Sequence, residues 1–256
     1  MKNIWAITKK ELKSYFVSPL AYIVSAIFLI ITGFMFFNML SGFALASMQY
    51  ARYPQVLDGF NLNNGVVTPL LLNTSLILLF ITPALTMRIF SEEVKNGTMD
   101  LLFTSPITTF EIVMGKFFGC ALLFLLMLGL SFSFIIVLLV YGKLDIAPLL
   151  SGYLGLLLLE LTFISLGMWM SSLTRSQIIA FIGAFGVLLF LWIIAWPARF
   201  VNTNMASLLN YFSLQNHFFD LARGLLDTKD IVFYISCIFG GLFLSYQTLV
   251  SQQWRG

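Results

Sequence analysis

A chain of 256 residues that is 59% hydrophobic and 10% charged stands apart from soluble domains, in which about a quarter of the residues carry charge. With a mean hydropathy of +0.94 it lacks the polar surface to cover one or two water-soluble domains, so the bilayer is its main solvent. The net charge of +3 comes from 14 basic and 11 acidic residues in short stretches between long uncharged runs, which excludes a continuous basic face for nucleic acid. Cys120 and Cys237 both lie inside apolar runs far apart in sequence, so they build neither a disulfide framework nor a zinc spacing and read as packing residues.

In chain order, residues 2 to 16 gather Ile4, Trp5, Thr8, Leu12, Tyr15 and Phe16 on one helical arc and Lys2, Lys9, Lys10 and Lys13 on the other. That pattern predicts an interfacial helix over residues 1–17, with lysines facing anionic headgroups, broken by Ser18-Pro19. No charge occurs from Ser14 to Ala51. The run is longer than the 7 to 15 apolar residues of a secretory signal, so it is expected to stay as a span despite Ala44-Leu45-Ala46. A helix needs about 20 apolar residues to cross the hydrocarbon core, and six segments qualify, at about residues 21–40, 69–90, 117–140, 148–170, 178–196 and 231–250. An even number puts both termini on one side, which then carries nine of the basic residues against five on the other. Cytoplasmic termini follow from that bias.

The stretch from Arg88 to Lys116, between the second and third spans, is too patterned for a plain connector. Ser91 is placed to N-cap a short helix with Glu92 and Glu93 near its positive end, and Asn96-Gly97 is a natural stop. Met99 to Phe103 offers an apolar ledge, and Pro106 ends it before a second amphipathic piece. Such a helix suits docking into a groove of a soluble partner, and the periodicity fits a helix lying on headgroups equally well. Glu160, mid-way along the fourth span, must face protein or water; it reads either as a substrate or proton site or as an internal hydrogen-bond partner of Ser131, Ser133 or Thr162. Gly115, Gly119, Gly183, Ala184 and Gly186 read as sites of close helix packing.

Between Pro197 and Asp230 the chain is rich in aromatics, Phe200, Tyr211, Phe212, Phe218 and Phe219, and is expected to dip into the outer leaflet. His217 is the sole histidine; without a second histidine or a nearby cysteine it makes no metal site and reads as polar decoration. Neither paired acids, His-Glu-x-x-His nor a serine with a basic partner is found, which counts against a membrane enzyme. No phosphate-binding Gly-x-x-x-x-Gly-Lys-Ser/Thr sequence exists either, since Gly115-Lys116 has Phe110 where the upstream glycine belongs.

The order Arg88, Phe90, Glu92-Glu93, Gly97-Thr98, Leu101-Leu102, Pro106 and Gly115-Lys116 resembles the loop of ABC-type-2 exporter permeases, membrane subunits that pair with separate ATP-binding subunits. Ser171-Ser172-Leu173-Thr174-Arg175-Ser176-Gln177, Phe218-Phe219-Asp220-Leu221-Ala222-Arg223-Gly224-Leu225-Leu226-Asp227 and the opening Lys9-Lys10-Glu11-Leu12, Tyr15-Phe16, Ser18-Pro19 are similar to that family too. The branch it looks most like holds gliding-motility permeases and the permease linked to nitrous oxide reductase maturation.

The resemblance implies an all-α, polytopic fold in which residues 1–256 form a single transmembrane permease domain, with an N-terminal connecting helix, a cytoplasmic coupling helix and short extracellular helices before the last span. By the same resemblance Ser91, Glu92, Glu93, Gly97, Thr98 and Leu101 contact the ATPase. ATP and magnesium belong to that partner, and this chain is non-catalytic with no cofactor or metal of its own. A second permease copy or relative, the lipid bilayer of a bacterial or archaeal inner membrane and a periplasmic or surface accessory protein complete the expected setting, with no nucleic acid. Relatives move lipids, glycans, peptides, drugs or maturation factors, so the substrate stays open. The competing reading is a scaffold, channel or membrane enzyme that needs no ATP.

Overall fold

Pro19 has no amide hydrogen with which to extend the helix before it. In the computed structural model, which describes residues 2–50, 61–99, 106–142 and 144–253, helix α1 (Lys2–Val17) accordingly ends at Ser18 and α2 (Pro19–Tyr50) begins at once. The Ser18 hydroxyl accepts the Leu20 N–H at 3.3 Å, supplying one of the acceptors that a new helix start lacks. A short π-helical turn, Asn63–Val67, runs into α3 (Thr68–Thr86), and α4 (Arg88–Asn96) follows after Met87. The long helices α5 (Thr109–Tyr141) and α6 (Ile146–Ser172) come next, then α7 (Gln177–Ile193). After them a 3-10 turn, Trp196–Phe200, and two short helices, α8 (Thr203–Tyr211) and α9 (Leu214–Ala222), lead to α10 (Thr228–Gln253).

Among the described residues six helices are long and apolar enough to cross a membrane: Pro19–Gln49, Asn63–Asn96, Thr109–Tyr141, Ile146–Ser172, Gln177–Phe200 and Thr228–Gln253. Each contains one of the six expected segments and is longer, because helical hydrogen bonding continues into the polar flanks that hydropathy discards. α6 forms the centre: 67% of its apolar window is buried, against 22% for the first, fifth and last spans. Those outer three turn apolar side chains such as Ile30, Phe34, Ile182 and Phe239 outward, as helices solvated by lipid do.

Several hydroxyls inside the bundle are satisfied within their own helix. Thr74, Thr82 and Thr86 each bond to the carbonyl one turn earlier, at 2.8, 2.7 and 2.9 Å, which removes the cost of a free polar group in hydrocarbon.

Contacts between the ends of the spans define two faces. On one lie α1, α4 and the C-terminal ends of α6 and α10, where Gln252 Nε2 donates to the Ser172 carbonyl at 2.8 Å. On the other lie the π-helical turn and α9: Asn63 exchanges hydrogen bonds of 2.9 and 3.0 Å with the Asp145 backbone, Thr68 reaches the Ala222 carbonyl at 3.1 Å and Ser151 the Leu221 carbonyl at 2.8 Å.

Candidate functional site

α1 lies directly on the first turns of α5 because glycine lets it. A Cβ at Gly115 would collide with Ile7, and one at Gly119 with Glu11; in the space so gained the Thr8 hydroxyl reaches the Gly115 carbonyl at 3.1 Å. α5 itself starts where a Thr108–Glu111 capping box fixes it, and Asn3 of α1 donates to the same Glu111 carboxylate at 3.2 Å.

Close approach brings Glu11 over Lys116. The Lys116 ammonium sits 3.0 Å from Glu11 Oε1 and 2.9 Å from Glu93 Oε1, donates to the Ile89 carbonyl at 2.9 Å, and lies 5.4 Å from the Phe90 ring centroid. Its side chain is 3% exposed, and its partners 15% and 17%. Three donor hydrogens meet three acceptors, so the cation's desolvation is offset. One lysine thereby ties α1, α4 and α5 together. Beside it, Tyr15 is buried; that burial, with Cys120 and Glu11 close by, raises its phenol well above the usual range and keeps it neutral.

α4 is held by a third helix as well. Pro83 lies inside α3, and the helix yields at Met87, so the next amides need an outside acceptor. Ser171 of α6 supplies it: its hydroxyl accepts the Phe90 and Ser91 N–H groups at 3.0 and 3.2 Å and donates to the Met87 carbonyl at 2.9 Å. The expected N-cap, Ser91, instead sits inside α4, fully buried, with its hydroxyl bonded back to the Met87 carbonyl. The helix begins three residues earlier than Ser91 because it grows almost directly out of α3.

The expected stop does form. Gly97 adopts φ 68°, a left-handed conformation open to glycine, and the Thr98 N–H reaches back to the Glu93 carbonyl at 3.0 Å, closing the turn.

The six proposed contact residues thus separate. Glu92 is paired only with Arg88, at 3.5 Å, and its side chain is 45% exposed; Gly97 and Thr98 are exposed. Glu93 is turned in to Lys116, Ser91 is buried, and Leu101 lies outside the described residues. Met99, the first residue of the expected apolar ledge, is buried, and the remainder of that ledge falls outside the described residues. Two concavities of about 230 and 240 Å³ flank the Lys116 cluster, the first lined by Ser14, Arg88, Glu92 and Asn96, the second by Ala6, Ile7, Ile107 and Ile112.

Glu160 is buried in the centre of the bundle, where Oε1 accepts the Thr82 hydroxyl at 2.7 Å and Oε2 has no partner among the described residues. Of the partners named for it from the sequence, Ser131 and Thr162 bond instead to the Leu128 and Leu158 carbonyls.

On the opposite face His217 is no decoration. It is buried, its Nδ1 is 2.5 Å from Asp230 Oδ1 and its Nε2 2.8 Å from the Tyr211 carbonyl. A carbonyl only accepts, so Nε2 carries hydrogen, and a second proton lies between Nδ1 and the carboxyl. The ring stacks on Phe233 at 4.1 Å. Among the described residues no group of acids, cysteines and histidine could hold a metal ion.

Six apolar spans among the described residues, with a charged helix anchored at its base and exposed at its tip, define a polytopic membrane protein. Residues 5–250 match the ABC-2 family transporter protein family, and the chain belongs to it. It is therefore a membrane permease of the ABC transporter class, a subunit that is not itself catalytic. No curated relative matches the sequence.

Proposed function

We propose that this chain is the translocation subunit of an ATP-driven exporter, and that the tip of α4, from Glu92 to Thr98, is the point at which a separate ATP-binding subunit docks. One observation carries the reading: α4 presents a free charged end while its base is bound to three other helices, through Lys116 to α1 and α5 and through Ser171 to α6. A push on such a tip moves a bundle, whereas a push on a loosely attached loop would be absorbed.

ATP and magnesium act on the partner. Its closure would rock this chain against a second permease subunit, with α1, α4 and both termini on the cytoplasmic side of the plasma membrane. The outward apolar surfaces of α2 and α7 suit both lipid and a second subunit.

Charge reversal at Glu92 tests this directly, because Glu92, unlike Glu93, has no buried partner to lose. In an E92K variant, ATPase copurification is expected to fall while the thermal unfolding temperature stays at the wild-type value. Undiminished ATPase association would overturn the docking assignment.

A further inference from the structure

On the face opposite Lys116, the end of α7 and its 3-10 turn stand off from α8 and α9 to leave a cavity of about 690 Å³. Its chemistry is one-sided. Arg199 enters it with no carboxylate partner among the described residues, and Asn210, Gln215 and Asn216 add amides. Asn216 Nδ2 donates to Asn210 Oδ1 at 3.1 Å, so the Asn210 amide nitrogen remains a donor without an acceptor among the described residues. Among the described residues no aspartate or glutamate lines the space. A guanidinium fork with neighbouring amide donors is matched by an oxyanion with several acceptor oxygens, and is mismatched to a cation.

Position narrows the ligand. The cavity opens where the apolar α7 ends, and Trp196 and Phe200 on its rim are 65% and 88% exposed. Large aromatic side chains left bare at the end of a span belong at headgroup depth, which is also the depth of lipid phosphates.

We infer that this cavity binds the phosphate of an anionic lipid headgroup, with Arg199 as its bidentate anchor and Asn210 and Gln215 as further donors. The inference is independent of ATPase docking, because α4 and the Lys116 cluster lie on the other face.

The test is native mass spectrometry of the full purified chain titrated with phosphatidylglycerol, phosphatidylcholine or inorganic phosphate. Wild-type protein is expected to retain phosphatidylglycerol in preference to phosphatidylcholine. An R199Q variant should lower that retention roughly fivefold or more, as loss of a charge-assisted fork would. R199K and Gln215→Leu, which leave the charge in place, should give smaller losses and serve if R199Q folds poorly. R175Q, an exposed cation on the opposite face, should change nothing. Displacement by inorganic phosphate that also depends on Arg199 supports the same oxyanion site and identifies a soluble anion as its occupant. Equal retention of the two lipids, or equal losses in R199Q and R175Q, overturns the assignment.

Discussion

The two faces of the bundle bury charge in different ways. At one, a single ammonium is shared among α1, α4 and α5, elements far apart in sequence: Glu11 and Lys116 are separated by 105 residues. At the other, an imidazole and a carboxyl only 13 residues apart join α9 to the start of α10. The first arrangement makes a junction through which three helices must move together; the second makes a local clasp that closes a short excursion of the chain. A docking helix belongs at a junction, since a clasp would transmit nothing beyond its own loop.

The largest effect should come from breaking the junction. Lys116→Ala leaves Glu11 and Glu93 facing each other with no cation, and loss of one partner from a buried ion cluster costs about 3 to 5 kcal/mol. A strong drop in thermal unfolding temperature in detergent is the expected readout. A triple variant, Lys116→Met with Glu11→Gln and Glu93→Gln, removes all three charges together and should recover most of the loss, because neutral amides cost far less to desolvate than ions. Failure of that rescue would mean the carbonyl and ring contacts of Lys116, rather than its charge, hold the junction.

Much of the bundle was legible from the sequence because hydropathy is a local property: twenty uncharged residues reveal a span wherever it packs. The stop at Asn96-Gly97 and the break at Ser18-Pro19 were legible for the same reason, being written in neighbouring residues. What escaped is long-range. Ser171 caps α4 from 80 residues away, Lys116 meets Glu11 from 105 residues away, and Thr82, 78 residues away, serves Glu160. The helical period records which face a residue occupies and not which helix will meet it. Ser91 was misplaced because a serine followed by two glutamates is an N-cap pattern, and only tertiary structure reveals that the helix is already under way.

The clasp should be weaker. Asp230→Ala takes one partner from His217, yet the ring keeps its Nε2 hydrogen bond to the Tyr211 carbonyl. The loss is then one charge-assisted hydrogen bond, about 2 kcal/mol. Asp230→Asn, which can still pair with Nδ1, should cost less. A thermal shift as large as that of Lys116→Ala would break the contrast between junction and clasp.

Glu160 should be the mildest of the buried ionisable sites, and it sharpens the distinction further. Unlike Lys116 it has no opposite charge beside it among the described residues; its one hydrogen-bond partner among them is the Thr82 hydroxyl, whose single hydrogen is shared with the Leu78 carbonyl at 2.7 Å. Nothing in that arrangement requires a negative charge, and an ionised carboxylate at mid-span costs at least about 2.5 kcal/mol on insertion scales. Glutamine keeps the shape and an oxygen for Thr82 and brings no charge into the bundle, so Glu160→Gln should not lower the thermal unfolding temperature. On the proposed function substrate movement in reconstituted vesicles should be unchanged as well, since a transporter powered by a separate ATPase would have no need of a proton relay along its central helix. Normal expression with lost transport would reverse this reading and make Glu160 part of the translocation path.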